Sequence, residues 1–167
     1  MSSKLYVDSI EPKTTGGTVT VTNPTVPFGK ILQVVEVVST SNVTNQGDGT
    51  DRTILSGSIT PSSTSSKILV QCSGKGIWQH PNTAGGTLYV KLWRGTTSGT
   101  LIRSQKTVVY GWANSAEIPL EFGTSKLDSP STTLSQTYTW SASFTVYNMT
   151  FLNETAGQVM HLLEVGV

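Results

Sequence analysis

Apolar and polar residues alternate over short stretches of this chain, a pattern that predicts β-strands rather than helices. Residues 18–22 alternate strictly between threonine and valine, and residues 29–38 are rich in β-branched side chains. A period of two residues is typical of a strand with one buried face. Further runs of this kind occur at residues 52–60, 67–78, 87–94, 101–110, 117–122, 137–147 and 159–165. No segment has the pattern of a long amphipathic helix.

Clusters of glycine, proline, serine and asparagine separate the predicted strands and have the composition of turns. They lie at residues 45–49, 61–66, 81–86 and 95–99. Many short strands at regular spacing predict an all-β fold, an antiparallel β-sandwich of jelly-roll type. In the strand at residues 87–94 the apolar residues are expected on one side and their neighbours on the other: Leu88, Val90 and Leu92 against Tyr89, Lys91 and Trp93.

The first 28 residues differ from the rest, because prolines and a glycine pair at residues 16–17 interrupt any central strand. We therefore predict an extended N-terminal arm, residues 1–28, joined to a β-sandwich domain, residues 29–167. So short an arm cannot bury its own apolar side chains. We expect these to serve attachment or oligomerisation by packing on a neighbouring subunit: Leu5, Tyr6, Val7, Ile10 and Pro12.

The amino-acid composition of the chain restricts the classes of partner that we expect it to bind. Only 13% of the 167 residues are charged and the net charge is +1, whereas about 25% charged residues is usual in globular proteins. Serine and threonine are abundant, so the surface is expected to consist largely of hydroxyl groups. No basic stripe of the kind that binds nucleic acid is present. The sequence has no secretory signal and no apolar stretch long enough for membrane insertion, so we expect synthesis in the cytoplasm.

Metal and cofactor sites are not expected. Cys72 is the only cysteine, which excludes an intramolecular disulfide and a thiolate zinc site, and it is expected to be a small core residue. Asp48 and Asp51 could offer oxygens to Ca²⁺, but such loops normally contain more carboxylates, and aspartate beside glycine is an ordinary turn residue.

Catalytic motifs are missing, so we predict that the chain is not an enzyme. There is no nucleophile elbow, no P-loop and no dinucleotide-binding fingerprint. A glycoside-hydrolysing enzyme needs clustered carboxylates. Glu117 and Glu121 would at best share one strand face, and Pro119 between them favours an edge strand.

The four tryptophans admit two interpretations. Exposed aromatic rings on loops are common platforms for sugars and protein partners. In this interpretation a ligand- or receptor-binding site comprises Trp112, Tyr110, Trp78 and His80. In the other, the strand tryptophans fill the core or a seam between subunits: Trp78, Trp93 and Trp140. Both interpretations stay open at the level of the sequence.

Several phrases occur in a characteristic order. Residues 3–13 read Ser-Lys-Leu-Tyr-Val-Asp-Ser-Ile-Glu-Pro-Lys and lead into Gly-Gly-Thr-Val-Thr-Val at residues 16–21. Residues 58–70 follow with Ser-Ile-Thr-Pro-Ser-Ser-Thr-Ser-Ser-Lys-Ile-Leu-Val, then Leu-Trp-Arg-Gly-Thr-Thr at 92–97 and Leu-Asp-Ser-Pro at 127–130. Together these phrases resemble the fibre-like, knob and decoration structural proteins of marine tailed bacteriophages of the cyanophage type.

The resemblance implies a structural protein of the virion, made in the host cytoplasm. The expected form is a homotrimeric short fibre, knob or capsid decoration subunit, whose arm attaches it to other virion proteins of the capsid or tail. The β-sandwich would be displayed outward. The alternative function is a receptor- or carbohydrate-binding adhesin module of a tail fibre, with a host surface glycan as its partner.

Overall fold

The computed structural model describes residues 29–39, 42–45, 47–80, 85–110, 116–145, 149–151 and 157–166. The predicted arm, residues 1–28, lies outside these ranges. Within them the chain forms strands and no helix. The strands are β1 (Ile31–Val38), β2 (Val43–Asn45), β3 (Arg52–Ile59), β4 (Lys67–His80), β5 (Gly85–Arg94), β6 (Thr100–Tyr110), β7 (Ala116–Asp128), β8 (Gln136–Phe144), β9 (Met149–Phe151) and β10 (Gln158–Val165).

Two antiparallel sheets contain all of these strands. Sheet A has the order β1-β10-β4, with β7 on the other side of β4 and the short strands β9 and β2 beside the second half of β4. Sheet B has the order β3-β8-β5-β6. The sheets pack face to face and enclose one core, as the sequence predicts.

Strand pairing follows a nested pattern. The first strand pairs with the tenth, the second with the ninth, the third with the eighth, the fourth with the seventh, and the fifth with the sixth. The chain is thus one long antiparallel ribbon that is rolled up, and the rolling places β10 beside β4 and β8 beside β5. Nested pairing of this kind is the jelly-roll arrangement, so the predicted jelly-roll type is confirmed.

The core lies between the sheets and is rich in large side chains. Trp78, Tyr138, Trp140 and Phe144 are among its fully buried members. Strand β10 alternates strictly between buried and half-buried residues. Strand β5 does the same from Leu88 onward, which confirms the two faces predicted for it: Leu88, Val90 and Leu92 are buried, and Tyr89, Lys91 and Trp93 face outward. Cys72 is buried as expected, and burial raises the pKa of its thiol.

The middle of the outer face of sheet B, over strand β8, is covered by side chains of the neighbouring strands. Ser141 and Ser143 of the central strand β8 point away from the core and are nevertheless buried. Lys91 of β5 reaches across β8 to Asp51, with 2.8 Å between Nζ and Oδ2. The indole N–H of Trp93 donates to Ser141 Oγ at 2.8 Å. Small hydroxyls on β8 thus leave room for long neighbours to lie over them.

A buried carboxylate joins the two sheets at one end of the sandwich. Asp128, the last residue of β7 in sheet A, is almost fully buried. Its Oδ2 accepts the phenol proton of Tyr138 at 2.8 Å, and its Oδ1 accepts from Arg94 Nη2 at 2.9 Å. Both donors belong to sheet B. Burial, together with the neighbouring carboxylate, raises the pKa of Tyr138, so the phenol stays protonated and keeps donating.

Replacing Tyr138 by phenylalanine should remove one donor from this buried carboxylate while keeping the ring. We expect Tyr138→Phe to lower the free energy of unfolding by about 1–3 kcal/mol, because hydrogen bonds to charged groups are stronger than neutral ones. Urea unfolding followed by tryptophan fluorescence measures this. Tyr89→Phe is the control, since Tyr89 lies on the outer face of sheet B away from Asp128. Equal effects of the two substitutions would contradict the role given to Asp128.

Candidate functional site

The residues predicted for a ligand site are only partly within the described ranges. Strand β4 ends at His80 beside Ala116, and β6 ends at Tyr110 beside Gly85. The backbones that carry His80 and Tyr110 therefore finish at the same end of the sandwich. The side chains of both residues, and Trp112 altogether, lie outside what the structure describes. A ligand site of these three residues stays a prediction.

Trp78 is a correction to that set. Its side chain is fully buried and packs against Phe144, with 5.7 Å between the ring centroids. A ring with no exposed surface cannot stack on a ligand, so Trp78 fills the core, as the second interpretation of the tryptophans holds. Trp140 is buried in the same way, whereas Trp93 lies half-buried on the outer face of sheet B. The arm residues Leu5, Tyr6, Val7, Ile10 and Pro12 lie outside the described ranges.

The outer face of sheet A carries an apolar surface that the sequence does not reveal. Val34 of β1 is opposite Leu163 of β10, Leu163 is opposite Leu69 of β4, and Leu69 is opposite Leu127 of β7. Opposite residues in a sheet point to the same side. Val34 is 56% exposed and Leu127 is 44% exposed. We call these four side chains the apolar row; they run across four strands.

The surroundings of the apolar row differ on its two sides. Toward the beginning of β1, Ile31 and Leu32 are also exposed, at 53% and 44%. In the other direction lies a polar row, in register across the same four strands: Glu36, His161, Gln71 and Ser125. In this polar row Glu36 and His161 are 2.9 Å apart. Most of the exposed apolar surface of sheet A thus lies next to the end of the arm, and Val38, 40% exposed, lies beyond the polar row.

Strand β1 is also a weakly protected edge of sheet A. In the described part of the chain β1 pairs only with β10, and β3, β6 and β7 likewise have one long partner each. Charged residues and proline on edge strands discourage pairing with other chains. The other three edges contain such residues: Arg52 in β3, Arg103 and Lys106 in β6, and Pro119, Glu121 and Lys126 in β7. In β1 the only charged residue is Glu36, which His161 holds.

A second buried carboxylate fixes β1 from the inner side. Glu164 of β10 is 1% exposed. Its Oε2 accepts from Gln33 Nε2 of β1 at 2.7 Å, and its Oε1 accepts from the backbone N–H and the hydroxyl of Ser62 at 2.7 and 2.6 Å. Gln33 Nε2 also donates to the carbonyl of Thr60 at 2.6 Å. The backbone that presents Val34 outward is therefore tied to β10 and to the turn that follows β3.

The ionised form of Glu164 is stabilised by these donors. Burial alone would raise the pKa of the carboxyl, but hydrogen bonds from Ser62 and Gln33 outweigh it and lower the pKa from 4.5 to about 2. Among the described residues no cation pairs with Glu164. Neutral hydrogen-bond donors thus keep the group charged at neutral pH.

The outer face of sheet A offers an apolar surface for contact. Within the described ranges no three histidine, cysteine, aspartate or glutamate side chains are grouped so that they could hold a metal ion. Pro119 lies in β7, an edge strand, as predicted. The described residues contain no helix with the length and hydropathy needed to span a membrane. What the apolar row can do is bury itself against another apolar surface, which is worth roughly 25 cal/mol per Å².

Comparison with known proteins gives no family. No family model matches the sequence, and no curated protein matches it. A solved structure from Bacillus endospore appendages, described as a novel family of disulfide-linked pili, is 12% identical over 90% of this chain and 99% of its own, with a TM-score of 0.36.

Two viral chains are also similar. One is from the infectious bursal disease virus Gx strain (12% identity, 80% of this chain, TM-score 0.33) and one from the T13 particle of that virus (10%, 88%, 0.34). The matches cover only 39% and 43% of the two viral chains. All three TM-scores lie below 0.5, so these similarities carry no argument about function.

Replacing Glu164 by glutamine should make stability less sensitive to acid. A carboxyl whose pKa is lowered by folding stabilises the protein fully above its unfolded pKa of 4.5, and this contribution is lost as the pH falls toward about 2. We expect Glu164→Gln to cost about 1–3 kcal/mol at pH 7, with the difference from the parent shrinking between pH 5 and 2. Urea unfolding across this pH range measures it. The exposed Glu121→Gln serves as control, and a cost independent of pH would contradict the assignment.

Proposed function

We propose that the chain is a structural subunit of a virion, a homotrimeric short fibre, knob or capsid decoration protein attached by its N-terminal arm to other virion proteins. The observation that carries this proposal is the apolar row across sheet A, with the exposed Ile31 and Leu32 beside it. A contiguous exposed apolar surface on a small domain is typical of a protein–protein interface. The order of sequence phrases that resembles phage virion proteins gives the kind of assembly.

The low charge of the chain suits such an interface. Charged groups that become buried between subunits lose their hydration, and this loss often offsets what their pairing gains. With 13% charged residues, few charges have to be desolvated. None of the four members of the apolar row carries a charge, and the hydrogen-bonded pair of Glu36 and His161 lies in the adjacent polar row. On the other side, Lys67 lies in register with Val165 and Ile31. A seam over the four members of the apolar row therefore buries no charge of its own members and has Lys67 at its margin.

A closed cyclic assembly also accounts for the arm. In a ring with threefold symmetry each subunit offers one surface and receives another, so every copy of the arm has a neighbour to contact. Because residues 1–28 join the sandwich at the beginning of β1, the arm starts next to the exposed part of sheet A. The trimer and the arm contacts are expectations of this proposal, and they are open to direct measurement.

A charge placed in the apolar row should break the assembly. We expect the parent protein to be a trimer at micromolar concentration by light scattering. Val34→Asp should raise the dissociation constant at least about 100-fold, because an unpaired carboxylate in a desolvated seam costs several kcal/mol. Val108→Asp is the matched control, since Val108 is a valine of similar exposure, 45%, on sheet B. A monomeric parent, or equal loss of assembly in both variants, would overturn the proposal.

A second candidate function is that of a receptor- or carbohydrate-binding adhesin module, which can coexist with the first. The observation that favours it is the common end of the sandwich at which β4 ends at His80 and β6 ends at Tyr110. The segments after these strands, residues 81–84 and 111–115, leave from this end, and the second contains Trp112. Aromatic residues on neighbouring loops are common sugar platforms.

Trp112→Ala tests the adhesin function. We expect at least about a tenfold loss of glycan or host-cell binding, since one buried stacking contact is worth about 1.4 kcal/mol or more. A glycan array and a cell-adsorption assay give the measurement. Leu134→Ala, on the strongly exposed Leu134 between β7 and β8, is the control. If Trp112→Ala binds as well as the parent, or if the parent binds no glycan and no cell, the adhesin function is excluded.

A further inference from the structure

We infer that the free edge of β1 is the docking site for residues 18–22 of a second copy of the chain, which add a strand to sheet A. This inference rests on the proposed function, because it assumes that the protein assembles, and it names the contact by which neighbouring copies hold each other. It is carried by the weakly protected edge of β1, by the apolar row that ends at this edge, and by the pattern of the segment itself.

The edge of β1 offers backbone groups to an incoming strand. A strand with one neighbour leaves the N–H and C=O groups of its other side unpaired, and extended segments pair with such edges in many complexes. β1 contains eight residues, and its single charged residue is engaged by His161. Of the other long edges, β6 carries Arg103 and Lys106 and β7 carries Pro119, Glu121 and Lys126. The only charged residue of β3, Arg52, is held by Asp48. β1 and β3 are therefore the two edges whose only charged residue is already engaged, and of these two only β1 adjoins the apolar row.

The apolar row determines which face of the incoming strand is used. Val34 and Leu32 are exposed on the outer side of β1, at the end of the row. Residues 18–22 read Thr-Val-Thr-Val-Thr, so Val19 and Val21 point to one side and the threonines to the other. Pairing that places the two valines beside Leu32 and Val34 extends the row by one strand and covers its open end. The hydrophobic pattern fixes this choice of face, because a shift by one residue would expose both valines.

The linker between residues 18–22 and β1 favours docking on a neighbouring copy over docking within the same chain. Residues 23–30 connect Thr22 to β1 and contain Pro24 and Pro27. The residues before them, Asn23 and Val26, are pushed toward extended conformations by the proline rings. Eight extended residues at ~3.1 Å each span roughly 25 Å. In the inferred contact a spacer of this length joins residues 18–22 to β1 across the distance between neighbouring subunits.

The position at which the linker joins β1 agrees with docking on another subunit. Gly29 lies so close to Val165, at the end of β10, that a Cβ on residue 29 would collide with the valine side chain. Gly166 N–H donates to the carbonyl of Lys30 at 2.8 Å. The last residues before β1 are therefore held against β10, on the side away from the free edge. A segment that returned to that free edge in the same chain would have to cross the end of β1 first.

Chemical cross-linking between two tagged copies tests the inference. One copy carries Val19→Cys and a first tag, the other carries Val34→Cys and a second tag, and both full-length chains are expressed together. A short bismaleimide then joins cysteines that are close. We expect a mixed-tag dimer on denaturing gels at a yield at least about fivefold above that of Thr20→Cys with Val34→Cys, because alternate residues face opposite sides. The parent, whose Cys72 is buried, controls for background.

Each outcome decides the question. Equal yields for Val19→Cys and Thr20→Cys would overturn the inference, as would the absence of a mixed-tag product. A single chain with both Val19→Cys and Val34→Cys identifies docking within one chain: cross-linking would then consume both thiols without forming a dimer, and a second copy would be excluded as the occupant. If Val34→Cys weakens assembly, Leu32→Cys on the same face repeats the measurement.

Light scattering on the same samples separates this inference from the proposed function. A trimer in which Val19 and Val34 do not cross-link keeps the virion subunit and removes the strand exchange. A monomer removes both. A trimer with the mixed-tag product supports both.

Discussion

Nested antiparallel pairing of the ten strands is the constraint on which the rest of this structure depends. Because β1 pairs with β10, β3 with β8, β4 with β7 and β5 with β6, the chain is one ribbon whose rolling encloses the core. A rolled ribbon does not close on itself as a barrel does, so each sheet keeps free edges. An open edge is either protected against pairing with another chain or used for such pairing. The four long edges, β1, β3, β6 and β7, differ in the charged residues and prolines that they contain.

Two buried carboxylates hold the edge strands of sheet A. Asp128 fixes the end of β7 to sheet B through Tyr138 and Arg94, while Glu164 fixes β1 through Gln33 and Ser62. Ionised groups are costly to bury, and they persist where several donors meet them. Since β1 and β7 each have a single long partner strand, these contacts add constraints that edge strands otherwise lack.

The period-two pattern was enough to predict the all-β class, the sandwich and the two faces of β5, because burial alternates wherever a strand has one face in the core. The pattern predicted a strand at residues 117–122, whereas β7 extends to Asp128. The difference arises because Thr124 and Lys126 continue the strand with polar residues at an open edge. It missed β2 and β9, which have three residues each. The apolar row could not be predicted from the sequence, because its members come from four separate strands and are brought together only by the strand register. Trp78 was assigned to a ligand site from its neighbours in sequence. It is separated by even numbers of residues from the apolar Val70 and Cys72 on β4, however, and this period already placed its side chain on their buried face.

The two outer faces of the sandwich explain why a partner is expected on sheet A. On sheet B, Lys91, Asp51 and Trp93 lie over the serines of β8, so the middle of that face is covered by its own polar contacts, and the exposed aliphatic residues Leu101 and Val108 lie on the edge strand β6. On sheet A the four side chains of the apolar row are aliphatic, and Val34 and Leu127 remain 56% and 44% exposed. Aliphatic side chains in contact with water gain from any apolar cover. In the proposed assembly the arm, whose sequence has two valines at alternate positions, would supply a cover of matching pattern.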